Sequence, residues 1–310
     1  MRIPCRSHSR LRPLAALLLV SALSVAGAGC SLPGGGDDEG GGTGLERALA
    51  AVPAAAADQG VMYRDVRTVR RLVAENPALY RGLEGFGILE VAQHGYTGRS
   101  VRADWGFDVK DVRTSVAVGD SSLLTGKFDT DAVDRAMKKQ GYRATRTDDG
   151  TRYKKGGDPG TYEVSGSARA AKRSDIALGL ATPDESLRDD EAYEAVADCL
   201  GDVYEATYYA KRDDADVVLF AIGGRLGKDR TSSSETLCAH TASRKAAITT
   251  AAKLRKKTAR GQRYAGSKVT VGKGTTPLVT MTWKNRPESG LRPADNDRTS
   301  ELPGVLVWGR

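Results

Sequence analysis

Two stretches of this chain run through the same order of elements, and that order admits few folds. From Ser115 to Val118 apolar and polar residues alternate, Gly119-Asp120-Ser121 turns, and Ser122 to Phe128 returns as a second strand. Asp129 or Thr130 caps a helix over 131–140, which carries Lys138 and Lys139 in its last turn and Gly141 at its end. Asp148-Asp149-Gly150 then joins strands at 142–147 and 151–155 into a hairpin. Further on come strands at 203–209 and 217–222, a glycine- and serine-rich loop at 223–234, and a strand at 235–241. A helix at 244–257 and a closing hairpin of 268–271 with 278–283 complete this second stretch. Counted from the strand at 217–222, strand, strand, helix, hairpin thus occurs a second time. The expectation is an α+β fold: antiparallel sheets with helices packed on one face, in two related halves, 61–170 and 171–310, that are free to form one domain.

The remaining stretches are read more simply. Val66, Val69, Leu72 and Val73 predict a helix over 63–74, interrupted by Asn76-Pro77 and followed by a helical turn at 78–83. Ile88 onward reads as a strand entering a glycine-rich loop. Phe107, Val109 and Val112 anchor a loop or short helix. Residues 156–173 are polar, with one strand at 162–164, and 176–181 reads as another strand. Asp189 or Asp190 caps a helix over 191–200 that Gly201 ends. Ala48–Ala57 has few large apolar residues and reads as a frayed helix outside the core. The tail is a proline-rich loop, with Gly304–Trp308 docking as an edge strand or plug.

The first 29 residues have the three parts of a secretory signal peptide. Arg2, Arg6, Arg10 and Arg12 form a positive head, Leu14 to Val25 is apolar, and Ala26 to Gly29 are small. Cys30 follows directly. A small-residue run ending in cysteine resembles the lipobox of bacterial lipoproteins, which implies acylation of Cys30 and a protein held on the outer face of the cytoplasmic membrane. Gly27 stands where those proteins usually carry an aliphatic residue. Ala26-Gly27-Ala28 also fits an ordinary A-x-A cleavage site, which would release a secreted protein. Residues 30–60 read as a disordered, lipid-anchored tether, glycine- and acid-rich at SLPGGGDDEGGGTG.

Export bears on the cysteines. Cys5 leaves with the leader, and Cys199 and Cys238 remain as an even pair in an oxidising setting, so a disulfide is expected. It also bears on charge. The chain carries 47 basic and 39 acidic residues, but four of the basic ones lie in the leader, leaving about +4. That small excess argues against a general polyanion binder, and no nucleic-acid partner is expected.

The distribution of charge says more than its sum. Arg244, Lys245, Lys253, Arg255, Lys256, Lys257, Arg260, Arg263 and Lys268 follow one another with no acid between them. Asp184 to Asp216 holds twelve acids against Arg188, Lys211 and Arg212. The basic run is a candidate for binding anionic lipid headgroups, wall polymer or an envelope protein. It also reads as an ordinary solvated helix face.

No reaction centre is legible. G-x-S-x-G, S-x-x-K and H-E-x-x-H are absent. The glycines before Lys273 are spaced one residue too widely for a phosphate loop, and Gly274 replaces its Ser or Thr. His94 sits in a loop. His240 shares a strand face with Cys238, but a disulfide-bonded Cys238 cannot act as a nucleophile. The acids at Asp129, Asp131 and Asp134, and at Asp295 and Asp297, lack an EF-hand pattern and read as caps and loop solvation. No metal or cofactor is expected.

The segments LTGKFDTDAVDRAMKKQGY and YEAVADCLGDV, with the Ala, Gly, Arg and Asp bias, resemble cell-envelope lipoproteins of high-GC Gram-positive actinobacteria. That resemblance implies an address and no activity. The expected role is binding or scaffolding at the envelope. The alternatives are a wall-polymer hydrolase working through acidic residues and a carrier of a small apolar ligand.

Overall fold

The hairpin at the start of the first repeat forms as its alternation predicts. Val112–Val118 (β2) pairs with Ser121–Gly126 (β3), and Gly119 turns the chain at φ +54°. Around it the computed structural model builds a twelve-stranded sheet in the order β11-β12-β10-β9-β8-β1-β2-β3-β7-β6-β5-β4. Every neighbouring pair is antiparallel. The structure describes residues 42–83, 85, 88, 101–172, 176, 178–227, 233–295 and 301–307. The leader with Cys30, His94 with its loop, Asp297 and Trp308 lie outside these residues.

The strands are β1 (Val61–Asp65), β2, β3, β4 (Arg143–Thr147), β5 (Gly150–Lys154), β6 (Thr161–Val164) and β7 (Ala168–Lys172) in the first half. The second half supplies β8 (Glu205–Tyr208), β9 (Val217–Leu226), β10 (Ser233–Thr241), β11 (Lys268–Val271) and β12 (Leu278–Lys284). The helices are α1 (Gly44–Ala50), α2 (Val66–Glu75), α3 (Pro77–Tyr80), α4 (Val101–Trp105) and α5 (Thr130–Lys139). They continue with α6 (Glu191–Leu200), α7 (Arg244–Lys257) and α8 (Glu301–Val307).

The repeated order has a topological counterpart. After β1-β2-β3 comes α5, and the chain returns to lay β7 beside β3. After β8-β9-β10 comes α7, and the chain returns to lay β12 beside β10. The two units meet through their first strands, β1 against β8, with Val61 opposite Tyr208 and Arg64 opposite Glu205. Residues 32–310 form one compact unit, and the described core lies between Leu45 and Val305.

The helices divide between the two faces of the sheet rather than sharing one. On β9, Leu219 and Ala221 belong to the core under α1 and α6, while Phe220 and Ile222 belong to the core under α7. A strand apolar on both sides must be covered on both sides, because an open face would leave that surface in water.

Several local expectations change for tertiary reasons. Residues 30–41 lie outside the described residues, and against the disordered tether expected over 30–60 the chain is folded from Thr43 onward. There a capping box forms, in which Thr43 N–H donates to Glu46 Oε2 at 2.6 Å and Glu46 N–H donates to Thr43 Oγ1 at 3.2 Å. Leu45, Leu49, Val52 and Ala56 follow on one buried stripe, so the alanine-rich stretch is core; its small residues let the helix approach closely. Tyr63 to Asp65 is strand, since Val61 and Tyr63 face the core beside Val116 and Val118, and Asp65 caps α2 instead of lying within it.

Residues 168–172, within the stretch expected to be polar and irregular beyond 162–164, make β7, held between β3 and β6. The described residues of 176–181 form no strand; Leu178 and Leu180 drop into the core as an irregular strap. β9 runs on through Gly223 and Gly224, where a loop was expected. A Cβ at Gly224 would stand 2.6 Å from Tyr204 Cζ, so the strand can lie under that ring only with glycine there. Of the two expectations for the tail, the packed plug is the one that forms: α8 lies against α7 with Leu302 and Val305 buried, and the described tail residues make no edge strand.

Candidate functional site

Helix α7 positions the basic run. Ser243 caps it by accepting the Ala246 N–H at 3.1 Å. Ala246, Ala247, Thr250, Ala251 and Leu254 face the sheet, and their small volumes let the helix sit close. The other side exposes Arg244, Lys245, Ile248, Thr249, Ala252, Lys253, Arg255 and Lys256. The helix contains no acid.

Of the nine basic residues in the run, tertiary contacts engage some and leave others open. Lys257 pairs with Glu301 at 3.7 Å, and Arg263 pairs with Asp295 at 3.3 Å and Glu301 at 3.9 Å, tying α8 and the tail loop to α7. Arg244 donates to the Gly272 carbonyl at 2.5 Å. Among the described residues, no ion pair engages Lys245, Lys253, Arg255 or Lys256 on the helix, Arg260 in the turn after it, or Lys268 at the start of β11. Cations at Arg255 and Lys256 complement the helix dipole, whereas Arg244 and Lys245 in the first turn oppose it. Helix stability therefore explains only half of the layout.

Ile248 is the part of the site that charge counting misses. It is 54 % exposed, and it is the large apolar side chain the described surface leaves open. At 100° per residue it lies between Arg255 and Ala252, with Arg244, Lys245 and Lys256 around them. The helical spacing of the sequence encodes this placement, but only burial of the opposite face shows which way it points.

The acidic stretch lies across the sheet. Helix α6 packs on β9 and β10 from the face opposite α7 and exposes Glu191, Glu194 and Asp198. Asp184, Glu185, Asp189, Asp202, Asp213, Asp214 and Asp216 are also exposed. Asp190 caps α6 and pairs with Lys211 at 2.5 Å. Burial pushes the Asp190 carboxyl up, but Lys211 and the N–H groups of Tyr193 and Ala192 outweigh it and hold it below the usual range. At this end of the molecule, charge is sorted across the thickness of the sheet.

Cys199, in the last turn of α6, is joined to Cys238 of β10 by a disulfide with Cα atoms 6.1 Å apart. The bond pins the acidic helix to the strand that α7 covers from behind. His240, half-buried, lies two residues on. Among the acids weighed as calcium ligands, Asp129 caps α5 through the Asp131 and Ala132 N–H groups, and Asp134 pairs with Lys138 at 2.7 Å. Asp295 accepts from Arg263 and from the Arg292 N–H.

One row of cross-strand neighbours was not legible in the sequence. Arg64, Glu205, Gly224, Glu235 and Trp283 stand opposite one another across five strands, on the α7 face. Arg64 pairs with Glu205 at 3.1 Å and donates to the Leu83 carbonyl at 2.8 Å. Glu235 accepts from Trp283 Nε1 at 3.0 Å and from the Ala294 N–H at 3.2 Å. Both carboxylates are buried and engaged by the protein, an arrangement that holds a sheet together rather than presenting an acid to a polymer.

No family model matches the chain, and no curated protein matches it. One solved structure, "crystal form I of TP0453", aligns at 10% identity over 78% of this chain and 95% of that one, with a TM-score of 0.42. At that score the likeness carries no argument.

Proposed function

We propose that the chain is an actinobacterial-type envelope lipoprotein, anchored through Cys30 on the outer face of the cytoplasmic membrane, that binds an anionic surface of the envelope through α7. The observation that carries this reading is the exposed face of α7: Arg244, Lys245, Lys253, Arg255 and Lys256 without a carboxylate among them, while the acids gather around α6 on the opposite side of the same strands. Such sorting turns one face toward negative charge and the other away from it. The leader and the small-residue run before Cys30 support the address.

The test is photo-crosslinking in living cells from Thr249 and Ala252 on α7, with Glu194 on α6 as the control site, read by mass spectrometry. Adducts to phospholipid or wall polymer from the α7 sites alone are the expected result. A discrete protein adduct makes α7 a subunit interface instead, and equal labelling from Glu194 overturns the reading.

A further inference from the structure

We infer that the anionic surface met by α7 is a lipid bilayer, and that Ile248 seats in it below the level of the headgroups. This rests on the reading of α7 as an anionic-surface contact and names its partner. A lone exposed isoleucine is ordinary on a protein surface. What sets this one apart is its setting. It is 54 % exposed, Thr249 and Ala252 lie beside it, and Arg244, Lys245, Arg255 and Lys256 surround them without an acid.

A soluble polyanion or a hydrated wall polymer gives the cations what they need and gives Ile248 nothing, because its exposed half stays in water. A bilayer satisfies both. Lysine and arginine carry apolar stems that lie along the acyl boundary while their charged heads reach phosphate, so a ring of them can flank a side chain that dips between lipids. The inner face of α7 is committed to the sheet through Ala247, Ala251 and Leu254, so the helix can lie only flat on a membrane and enter by the depth of a side chain. The acids around α6, on the far side of β9 and β10, are repelled by the same lipids, which leaves a single orientation: α7 toward the bilayer and α6 away.

Residues 32–310 hold all of the described core and can be studied without leader or lipid. Their binding is measured by flotation with vesicles of phosphatidylcholine alone, with vesicles containing about one-third phosphatidylglycerol, and with soluble polyphosphate. The variants are Ile248→Ser, Ile248→Trp and the pair Lys245→Glu with Lys253→Glu, all at exposed positions. Unchanged thermal unfolding checks that each remains folded.

The expected result is binding to the anionic vesicles and not to the neutral ones. Ile248→Ser should weaken vesicle binding about five-fold, the factor for burying the exposed half of an isoleucine, and leave polyphosphate binding as it was. Ile248→Trp should strengthen vesicle binding only. The lysine pair should weaken both, by about five-fold per charge removed. If Ile248→Ser binds vesicles like the parent while the lysine pair still weakens binding, α7 meets an anionic surface but not by insertion, and the bilayer inference falls alone. If the parent binds neither probe, or the lysine pair changes nothing, the underlying reading falls with it.

Discussion

Replacing both Cys199 and Cys238 with alanine should cost this protein about 5 kcal/mol, most of it from the lost chain constraint. The bond closes a separation of 39 residues that holds β8, β9 and much of β10. In the chain-entropy account, a link of that span removes about 13 cal/mol/K from the unfolded ensemble, or ~4 kcal/mol at 25 °C. Cys238 is fully buried, so the missing sulfurs leave a small cavity worth about 1 kcal/mol more. The assay is urea unfolding of residues 32–310, followed by the fluorescence of buried Trp105 and Trp283. It compares the oxidised protein, the same protein reduced with a phosphine, and the double-alanine variant. Reduced protein and variant should both fall in midpoint, with a steeper denaturant dependence because the unlinked chain exposes more surface on unfolding. If oxidised and reduced protein unfold within ~1 kcal/mol of each other, the link does not constrain the unfolded chain as the entropy account holds. If only the variant is weakened, the loss belongs to packing and not to the covalent bond.

Gly224→Ala should destabilise by about 2–3 kcal/mol in the same assay, because the new Cβ would meet the buried Tyr204 ring at 2.6 Å and strain its 3.1 Å link to Ser233. An unchanged midpoint would mean that the ring has room to move, which the structure denies. The Asp190–Lys211 pair predicts a defined pH window. The folded-state pKa of Asp190 is depressed, so its contribution is present above the ordinary carboxylate value of about 3.9 and is lost as pH falls through the lowered one. That of Lys211 is raised, chiefly by its hydrogen bond to Asp190, so its contribution is complete below about 10.4 and is lost as pH rises beyond that. Melting temperature against pH should therefore lose its pair-dependent part at both ends. Asp190→Asn should flatten the acid limb relative to the parent, and parallel acid limbs would remove the pair from the account.

The elements that were legible in advance carry their instructions locally. Asp129 and Asp190 cap the helices that follow them as their positions announce, Ser243 caps α7 in the structure, and Gly141 and Gly201 take positive φ where α5 and α6 end. The spacing of these residues and the alternation along β2 and β3 place the boundaries of α5, α6, α7 and the flanking strands. The capping box at Thr43 and Glu46 was equally local, but the alanines after it hid the Leu45-Leu49-Val52 stripe. β7 was not legible, because 168–172 lies in a polar stretch without alternation and becomes a strand only in the gap between β3 and β6.

The candidate site divides along the same line. Local chemistry wrote the basic run, the acidic run and the two cysteines. Only the folded chain placed α6 and α7 on opposite sides of the same strands, engaged Lys257 and Arg263 with Glu301, and turned Ile248 outward. It also aligned Arg64, Glu205 and Glu235 in one buried row. The physical reason is range. A cap or a turn is satisfied within four residues of itself, whereas the partner that neutralises a charge, or the face that covers an apolar side chain, arrives from tens of residues away once the sheet has assembled.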